Sequence, residues 1–310
     1  MRKDVLNVTH TNIEIQDKAR VLMNNIAIIA WGAMADVLYA TPIVRHVRRI
    51  NPEAKISWLI RDKFAEVIDT NPDINHIVKF ALPEGFNSRQ EAEYVMDQNI
   101  LAYAKANFDQ VVDLQYWPRH SNFYENPQED FISLRARNAG FHPLSIDNRK
   151  IVSYLTDEDV QIARKFLLDN TLSLENFITV NHISYAAAPV CSFDYYQQLV
   201  DILTQKRIFT VFTGATNEPI PTNCVDARGL SYRVWQALIA MSNLYLGLDS
   251  GAKTLACATD VSIIILHSRD FPLKKTGCAA MGIRTNKIME LTTIPTATSL
   301  AEVIDSIIHG

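Results

Sequence analysis

Short runs of β-branched and apolar residues alternate with amphipathic segments along almost the whole chain. From Asn24 onward the pattern predicts strands at IAIIAW (26–31), KISWLI (55–60), INHIVKF (74–80) and FDQVVDL (108–114). Between them it predicts helices at 42–50, around 64–69 and, more polar in character, at 89–106. Nearly continuous apolar strands separated by helices predict a parallel sheet with helical crossovers. A helix near 127–139 follows, and GFHPLSIDNRK (140–150), aperiodic and carrying Gly, Pro, Ser and Asn, reads as a linker. The second half repeats the alternation. Helices are predicted at 157–169, 193–204, 232–241, after Ser250 and at 300–308, with strands at 177–183, 208–214, 244–248 and 261–266. The expected fold class is α/β: an N-terminal extension (1–23) and two Rossmann-like, doubly wound domains (24–150 and 151–310) facing across a cleft, with ligands at strand C-terminal ends. A single α/β barrel is the competing architecture, and no short repeat suggests a solenoid.

Composition narrows the partners. The chain has 310 residues, 48% hydrophobic and 21% charged, enough to bury a large core and to make two domains. Thirty Lys plus Arg against thirty-four Asp plus Glu leave a net charge of −4, which argues against a protein that binds by neutralising many nucleic-acid phosphates. Cys191, Cys224, Cys257 and Cys278 are too far apart for a CxxC knuckle and are expected to be reduced thiols. No apolar run approaches the roughly 18 residues of a membrane span. The polar, mixed-charge N-terminal stretch does not resemble a signal peptide, so a cytoplasmic protein is expected.

Two stretches carry candidate chemistry. The first predicted strand runs into Gly32-Ala33-Met34-Ala35-Asp36, a strand-to-helix turn. Gly32 permits the turn, and Asp36 can either cap free backbone N–H groups, the plainer reading of this stretch alone, or act on a ligand. There is no GxGxxG here and hence no dinucleotide fingerprint. The second stretch is a strand followed by Asp249-Ser250-Gly251 and a helix, where backbone N–H groups suit a phosphate or diphosphate. Asp157-Glu158-Asp159 follows Thr156 at a helix start and complements the dipole rather than forming a metal-binding pair. Arg45, His46, Arg48 and Arg49 read as a solvated helix face, with a phosphate-bearing acceptor as the lesser alternative, and His182, at a strand end that could face the cleft, as a hydrogen-bonded structural residue. Arg119 and His120, after Tyr116-Trp117-Pro118, have a character suited to a sugar-phosphate acceptor.

Taken in order, these stretches resemble glycosyltransferase family 9, the ADP-heptose heptosyltransferases of lipopolysaccharide core assembly. The residues that carry the resemblance are Ala35-Asp36-Val37 with Thr41-Pro42, Asn71-Pro72-Asp73, Val112-Asp113-Leu114-Gln115 with Arg119, Thr213-Gly214 with Glu218, and Leu248-Asp249-Ser250-Gly251. The resemblance spans roughly residues 24–309 and implies a GT-B fold, with the acceptor on the N-terminal domain and the nucleotide-sugar on the C-terminal one. It further implies an inverting, metal-independent transfer with no cofactor beyond an ADP-sugar donor, to a saccharide, lipopolysaccharide-core or protein acceptor. Peripheral contact with the inner face of the membrane is compatible with it. On this reading Asp36 is the general base. Backbone N–H groups around Ser250 and Gly251 hold the diphosphate, Asp249, Lys253, Thr254 and Gly214 belong to the same nucleotide-sugar site, Glu218 meets the ribose, and the Gly229-Leu230 turn passes near the adenine; Gln115, Arg119 and His120 meet the acceptor.

The chain departs from the family pattern at three places. Where members carry K-x-W-P, residues 186–192 read AAAPVCS without a basic residue; Thr254 stands where a His is common, and Ala35 precedes Asp36 in place of Gly. Lys253 or Arg269 is then the candidate replacement cation beside the diphosphate. The alternative expectation is a catalytically weak or inactive nucleotide-sugar-binding protein on the same frame.

Overall fold

A computed structural model of the protein describes residues 5–8, 25–115, 129–146, 148–170, 176–184, 190–214, 219–267, 273–283 and 287–310. The chain divides into two compact units, Met1–Tyr154 and Leu155–Gly310.

The first unit is built on a five-stranded sheet in the order β1-β4-β3-β2-β5. Its strands are β1 (Val5–Val8), β2 (Asn25–Ile29), β3 (Lys55–Arg61), β4 (His76–Phe80) and β5 (Gln110–Asp113), all parallel to their neighbours. β1 comes from the stretch that the sequence assigned to an extension. Its four residues pair with β4, Val5 opposite Ile77, and add an edge strand too short for periodicity to reveal. Three helices accompany the sheet: α1 (Met34–Ile50), α2 (Arg89–Asn107) and α3 (Phe131–Asn138). On one face, Ala27, Ile29, Trp31, Leu59 and Val78 pack against Met96, Ile100 and Ala104 of α2. The predicted helix around 64–69 is instead a 3-10 turn, Asp62–Val67.

α1 starts eight residues before the predicted 42–50, because Pro42 sits in its interior without ending it. A helix-interior proline leaves the carbonyl four residues earlier without its amide donor. Here the Thr41 hydroxyl supplies that donor, giving its proton to the Leu38 carbonyl at 2.7 Å. The same oxygen accepts from Val152 N at 3.1 Å, so the repair also fixes the strap that leaves this unit. That strap is not a free linker. Arg149 binds Asp130 at 3.1 Å, Phe141 meets the His46 ring edge-on at 5.3 Å, and Ser153 Oγ donates to Val67 O at 2.9 Å.

The second unit carries a six-stranded parallel sheet in the order β11-β10-β9-β6-β7-β8. The strands are β6 (Phe177–Asn181), β7 (Phe209–Phe212), β8 (Val225–Asp226), β9 (Leu244–Leu248), β10 (Ser262–Leu266) and β11 (Ile288–Leu291). Helices α5 (Phe193–Gln205) and α9 (Ala297–His309) bury Leu199, Leu203, Leu300 and Ile304 on one face. On the other, α4 (Asp157–Asp169) and α6 (Tyr232–Met241) bury Ala163, Leu167, Val234 and Leu238. α7 (Gly251–Ala256) and α8 (Leu273–Thr276) are short. At the start of α4, Thr156 Oγ accepts from Asp159 N while Asp159 accepts from Thr156 N at 2.8 Å, so the acidic run is a capping device.

Both sheets are open and doubly wound, which rules out the barrel. Strand order reverses between β2 and β5 in the first unit and between β6 and β9 in the second. Open α/β sheets bind ligands beyond the strand C-termini at such reversals. Asp36 follows β2, Gln115 follows β5, Asn181 ends β6 and Asp249-Ser250 follows β9.

Candidate functional site

The turn from β2 into α1 is fastened at four points. The Trp58 indole donates to Ala30 O at 2.8 Å, Trp31 N donates to Gln115 Oε1 at 3.1 Å, and the Trp31 indole donates to Asp97 Oδ1 at 2.9 Å. The fourth is Asp36 itself, whose Oδ2 accepts from Ala33 N at 2.9 Å. Gly32 allows this. A Cβ there would lie 2.6 Å from Asp36 Oδ2 and 2.8 Å from its Cβ, so the close approach of the carboxylate, not an unusual φ, requires glycine. Gln115, expected to meet an acceptor, is buried and ties the end of β5 to the end of β2.

Asp36 does more than cap. Its other oxygen, Oδ1, accepts from Arg135 Nη2 at 2.7 Å, and Arg135 Nη1 donates to Leu114 O at 2.6 Å. The Arg135 side chain has no exposed surface, whereas that of Asp36 is 18% exposed. That exposed part faces a recess lined by Trp31, Gly32, Ala33, Asp36, Arg89, Glu93 and Gln115. Glu93 binds Arg89 Nε at 2.7 Å and Arg61 Nη1 at 3.4 Å. The recess thus combines two carboxylates, Asp36 and the Arg-flanked Glu93, with apolar surface such as that of Trp31, a mainly apolar lining with a few placed polar groups.

Sequence reasoning missed Arg135 and Asp97. Each carried a signal. Arg135 lies four residues after Phe131 and three after Ile132, both buried, so a guanidinium sits on the apolar stripe of α3. Asp97 interrupts the Met96, Ile100, Ala104 stripe of α2 in the same way. The basic face of α1 is only in part the solvated surface expected: Arg49 is exposed, but Arg48 is half-buried and donates to the carbonyls of Asp73, Pro52 and Ala54 at 3.1, 2.9 and 2.8 Å and to Asn75 Oδ1 at 2.6 Å. His46 is buried.

In the second unit, Ser250 caps α7, accepting from Lys253 N at 3.4 Å, and donates to Asn181 Oδ1 at 3.1 Å. Asn181 Nδ2 reaches Thr213 O at 3.1 Å and Ser184 Oγ reaches Asp249 O at 2.7 Å, which ties together the ends of β6, β7 and β9. Lys253, one of the two candidate cations for the diphosphate, is turned inward. Its fully buried ammonium pairs with Asp249 and donates to Thr276 O at 2.8 Å, while Thr276 Oγ1 donates to Asp249 Oδ2 at 2.9 Å. Thr254 is buried too, and its hydroxyl donates back to Ser250 O at 3.2 Å. Of the expected nucleotide-binding set, Asp249, Lys253 and Thr254 therefore build the loop from within.

Gly214 and Gly229 adjoin, Gly229 N donating to Gly214 O at 3.4 Å, and Gly229 adopts a left-handed φ of 81° that favours glycine. Leu230 packs against the α4–α6 core. His182 is structural as expected, its Nε2 2.9 Å from Pro219 O and its ring edge-on to Phe212. Glu218, Arg119, His120 and Arg269 lie outside the described residues. Beyond this loop, Cys257 and Cys278 are buried with their sulfurs 3.5 Å apart. Burial pushes the Glu290 carboxyl up, but hydrogen bonds from His267 and from the N–H groups of Cys278 and Ala279 outweigh it and hold the group below its ordinary range. Among the described residues, no three His, Cys, Asp or Glu side chains are arranged to hold a metal, and no helix is long and apolar enough to cross a membrane.

No protein-family model matches the chain, and no curated protein matches it by sequence. Solved structures match its fold. A family 9 glycosyl transferase from Veillonella parvula DSM 2008 aligns with a TM-score of 0.69 at 16% identity, covering 92% of this chain and 97% of that one. The E. coli ADP-heptose lipopolysaccharide heptosyltransferase II aligns with a TM-score of 0.67 at 12% identity, covering 92% and 98%. The E. coli heptosyltransferase WaaC, solved with ADP, aligns with a TM-score of 0.59 at 16% identity, covering 91% and 99%. The chain therefore has the two-unit, Rossmann-like GT-B fold of family 9 glycosyltransferases and lipopolysaccharide heptosyltransferases.

Proposed function

We propose that the protein is a family 9-type glycosyltransferase that moves a heptose-like sugar from an ADP-linked donor to an acceptor hydroxyl, with inversion and without a metal. The observation that carries this reading is Asp36, a carboxylate at the β2–β5 reversal, held at both oxygens and lining a recess with Arg89, Glu93 and Gln115. In this reading the acceptor, a saccharide, a lipopolysaccharide core or a protein, lies on the first unit, and Asp36 takes its hydroxyl proton as the oxygen attacks the anomeric carbon. Charge then develops on the departing ADP, and first-turn N–H groups beside Ser250 and Gly251 in the second unit would stabilise it. Glu218, Gly214, Gly229 and Leu230 remain the proposed nucleoside side, and Arg119 and His120 the proposed acceptor side.

The test is release of ADP from ADP-heptose in the presence of a deacylated lipopolysaccharide inner core. Wild type should turn over, EDTA should leave the rate unchanged, and Asp36→Asn should lose roughly 100-fold or more. Turnover undiminished by Asp36→Asn would remove the base assignment, and loss with EDTA restored by Mg²⁺ would remove metal independence. A second reading, a binding protein with little or no turnover, is favoured by the inward pairing of Lys253 with Asp249, which leaves that ammonium occupied. Calorimetric titration with ADP separates the two: binding without turnover supports the second.

A further inference from the structure

A carboxylate that only caps a helix needs no cation behind it. Asp36 at the third position of α1 would be satisfied by Ala33 N–H and water. Instead the chain places a guanidinium with no exposed surface against it, from a residue 99 positions away. A buried cation is costly unless paired and fully hydrogen-bonded, so its presence behind a carboxylate that lines a recess calls for a reason.

We propose that Arg135 is a positioning residue that fixes the Asp36 carboxylate in one orientation toward the recess; this rests on the reading of Asp36 as the base. The planar fork bridges two fixed points. Nη1 is anchored on the Leu114 carbonyl just past β5, and Nη2 holds Oδ1, while Oδ2 is held by Ala33 N–H. Gripped at both oxygens, the carboxylate cannot rotate, and each oxygen keeps capacity for a further bond from the recess side. Arg135 is itself braced. Asp130 caps α3 by accepting from Ile132 N and Ser133 N, both at 3.0 Å, and Arg149 clamps Asp130 from the strap at 3.1 Å. A lysine would restore the charge but offers a single nitrogen, which cannot span both anchors as the fork does.

The experiment uses the full chain with Arg135→Lys and Arg135→Met, each alone and in an Asp36→Asn background. Crystal structures of the two single variants test positioning directly. In the Met variant Asp36 Oδ1 should leave its present place while β2, α1 and α3 superpose; an unmoved carboxylate overturns the proposal. If Arg135→Met does not fold, Arg135→Lys carries the same test, with a displaced Asp36 expected and an unmoved one overturning it. Kinetics with ADP-heptose and deacylated inner core add the functional arm. Misplacing a reacting group by about 1 Å costs on the order of 100-fold. Arg135→Met should therefore lower kcat about 100-fold with KM within about threefold, and Arg135→Lys should recover part of that loss. In the Asp36→Asn background, Arg135→Met should add less than about threefold, because both changes remove one function. Equal losses in both backgrounds, or a rise in KM alone, overturn the proposal. A wild-type protein that turns nothing over, or an Asp36→Asn variant as fast as wild type, instead counts against the base reading, and the crystal structures still decide what Arg135 does.

Discussion

Asp36 meets one partner that the sequence announces and one that it conceals. Its capping of Ala33 follows from local spacing, three residues apart, and was legible in the chain. Its ion pair with Arg135 was not, because nothing local links an Asp after the first central strand to an Arg on a helix 99 residues later. The difference changes what a mutation measures. A cap alone would make Asp36→Asn nearly silent in stability, within ~1 kcal/mol. With a buried guanidinium behind it, either Asp36→Asn or Asp36→Ala removes the counter-charge, and thermal or urea unfolding should register ~3 kcal/mol or more for both. Stability therefore does not separate the structural from the catalytic role, and turnover does. Lys253 teaches the same lesson with the opposite sign: position two residues into α7 suggested a displayed cation, and only the tertiary partner Asp249 explains why it is buried.

At the scale of elements, the parallel strands were legible because buried strands are nearly continuous in apolar residues, and several helix starts because Ser or Thr caps recur at Ser88, Thr156, Ser192, Ser231 and Ser250, whereas α9 starts at Ala297, three residues before the predicted 300. The misses have particular causes. β1, β8 and β11 are edge strands of four, two and four residues, too short to show a period. The predicted α1 began at Pro42, which suits a first helical position, and the Thr41 hydroxyl that replaces the missing donor and lets proline sit inside the helix is invisible without geometry. Thr41→Val keeps the shape but removes the partner of both Leu38 O and Val152 N, and should cost about 2 kcal/mol in chemical unfolding. A similar tie holds β11. The Glu290 carboxyl is kept below its ordinary value by His267 and two backbone N–H groups, so its stabilisation is complete above the unfolded carboxyl's pKa of ~4.3 and is lost as pH falls through the lower, folded value. Glu290→Gln should consequently be about 1–2 kcal/mol less stable than wild type at pH 7, and melting curves of the two should converge in strong acid. A difference that persists there would assign the effect to shape rather than charge.

For the whole molecule, the sequence predicted two doubly wound units with candidate motifs at strand ends. The structure adds that those ends coincide with the two reversals of strand order. What stayed hidden is long-range closure: Gln115 to Trp31 and Asn25 to Asp109, each 84 residues apart, join β5 to β2. The four cysteines carry a practical consequence of the division into units. All of them, Cys191, Cys224, Cys257 and Cys278, belong to Leu155–Gly310, whereas Trp31, Trp58 and Trp117 fall in Met1–Tyr154 and only Trp235 falls in the other unit. Cys257 and Cys278 are buried, while Cys191 and Cys224 are partly exposed, with thiols that burial pushes up to about 11. Native protein given a chromogenic disulfide reagent at pH 8 should therefore label two thiols slowly and protect the other two. Release of the protected pair then clocks the opening of one unit, and indole fluorescence tracks chiefly the other. Followed together through a urea series, the two signals report whether the halves of the molecule come apart in a single step or in turn, without any introduced label.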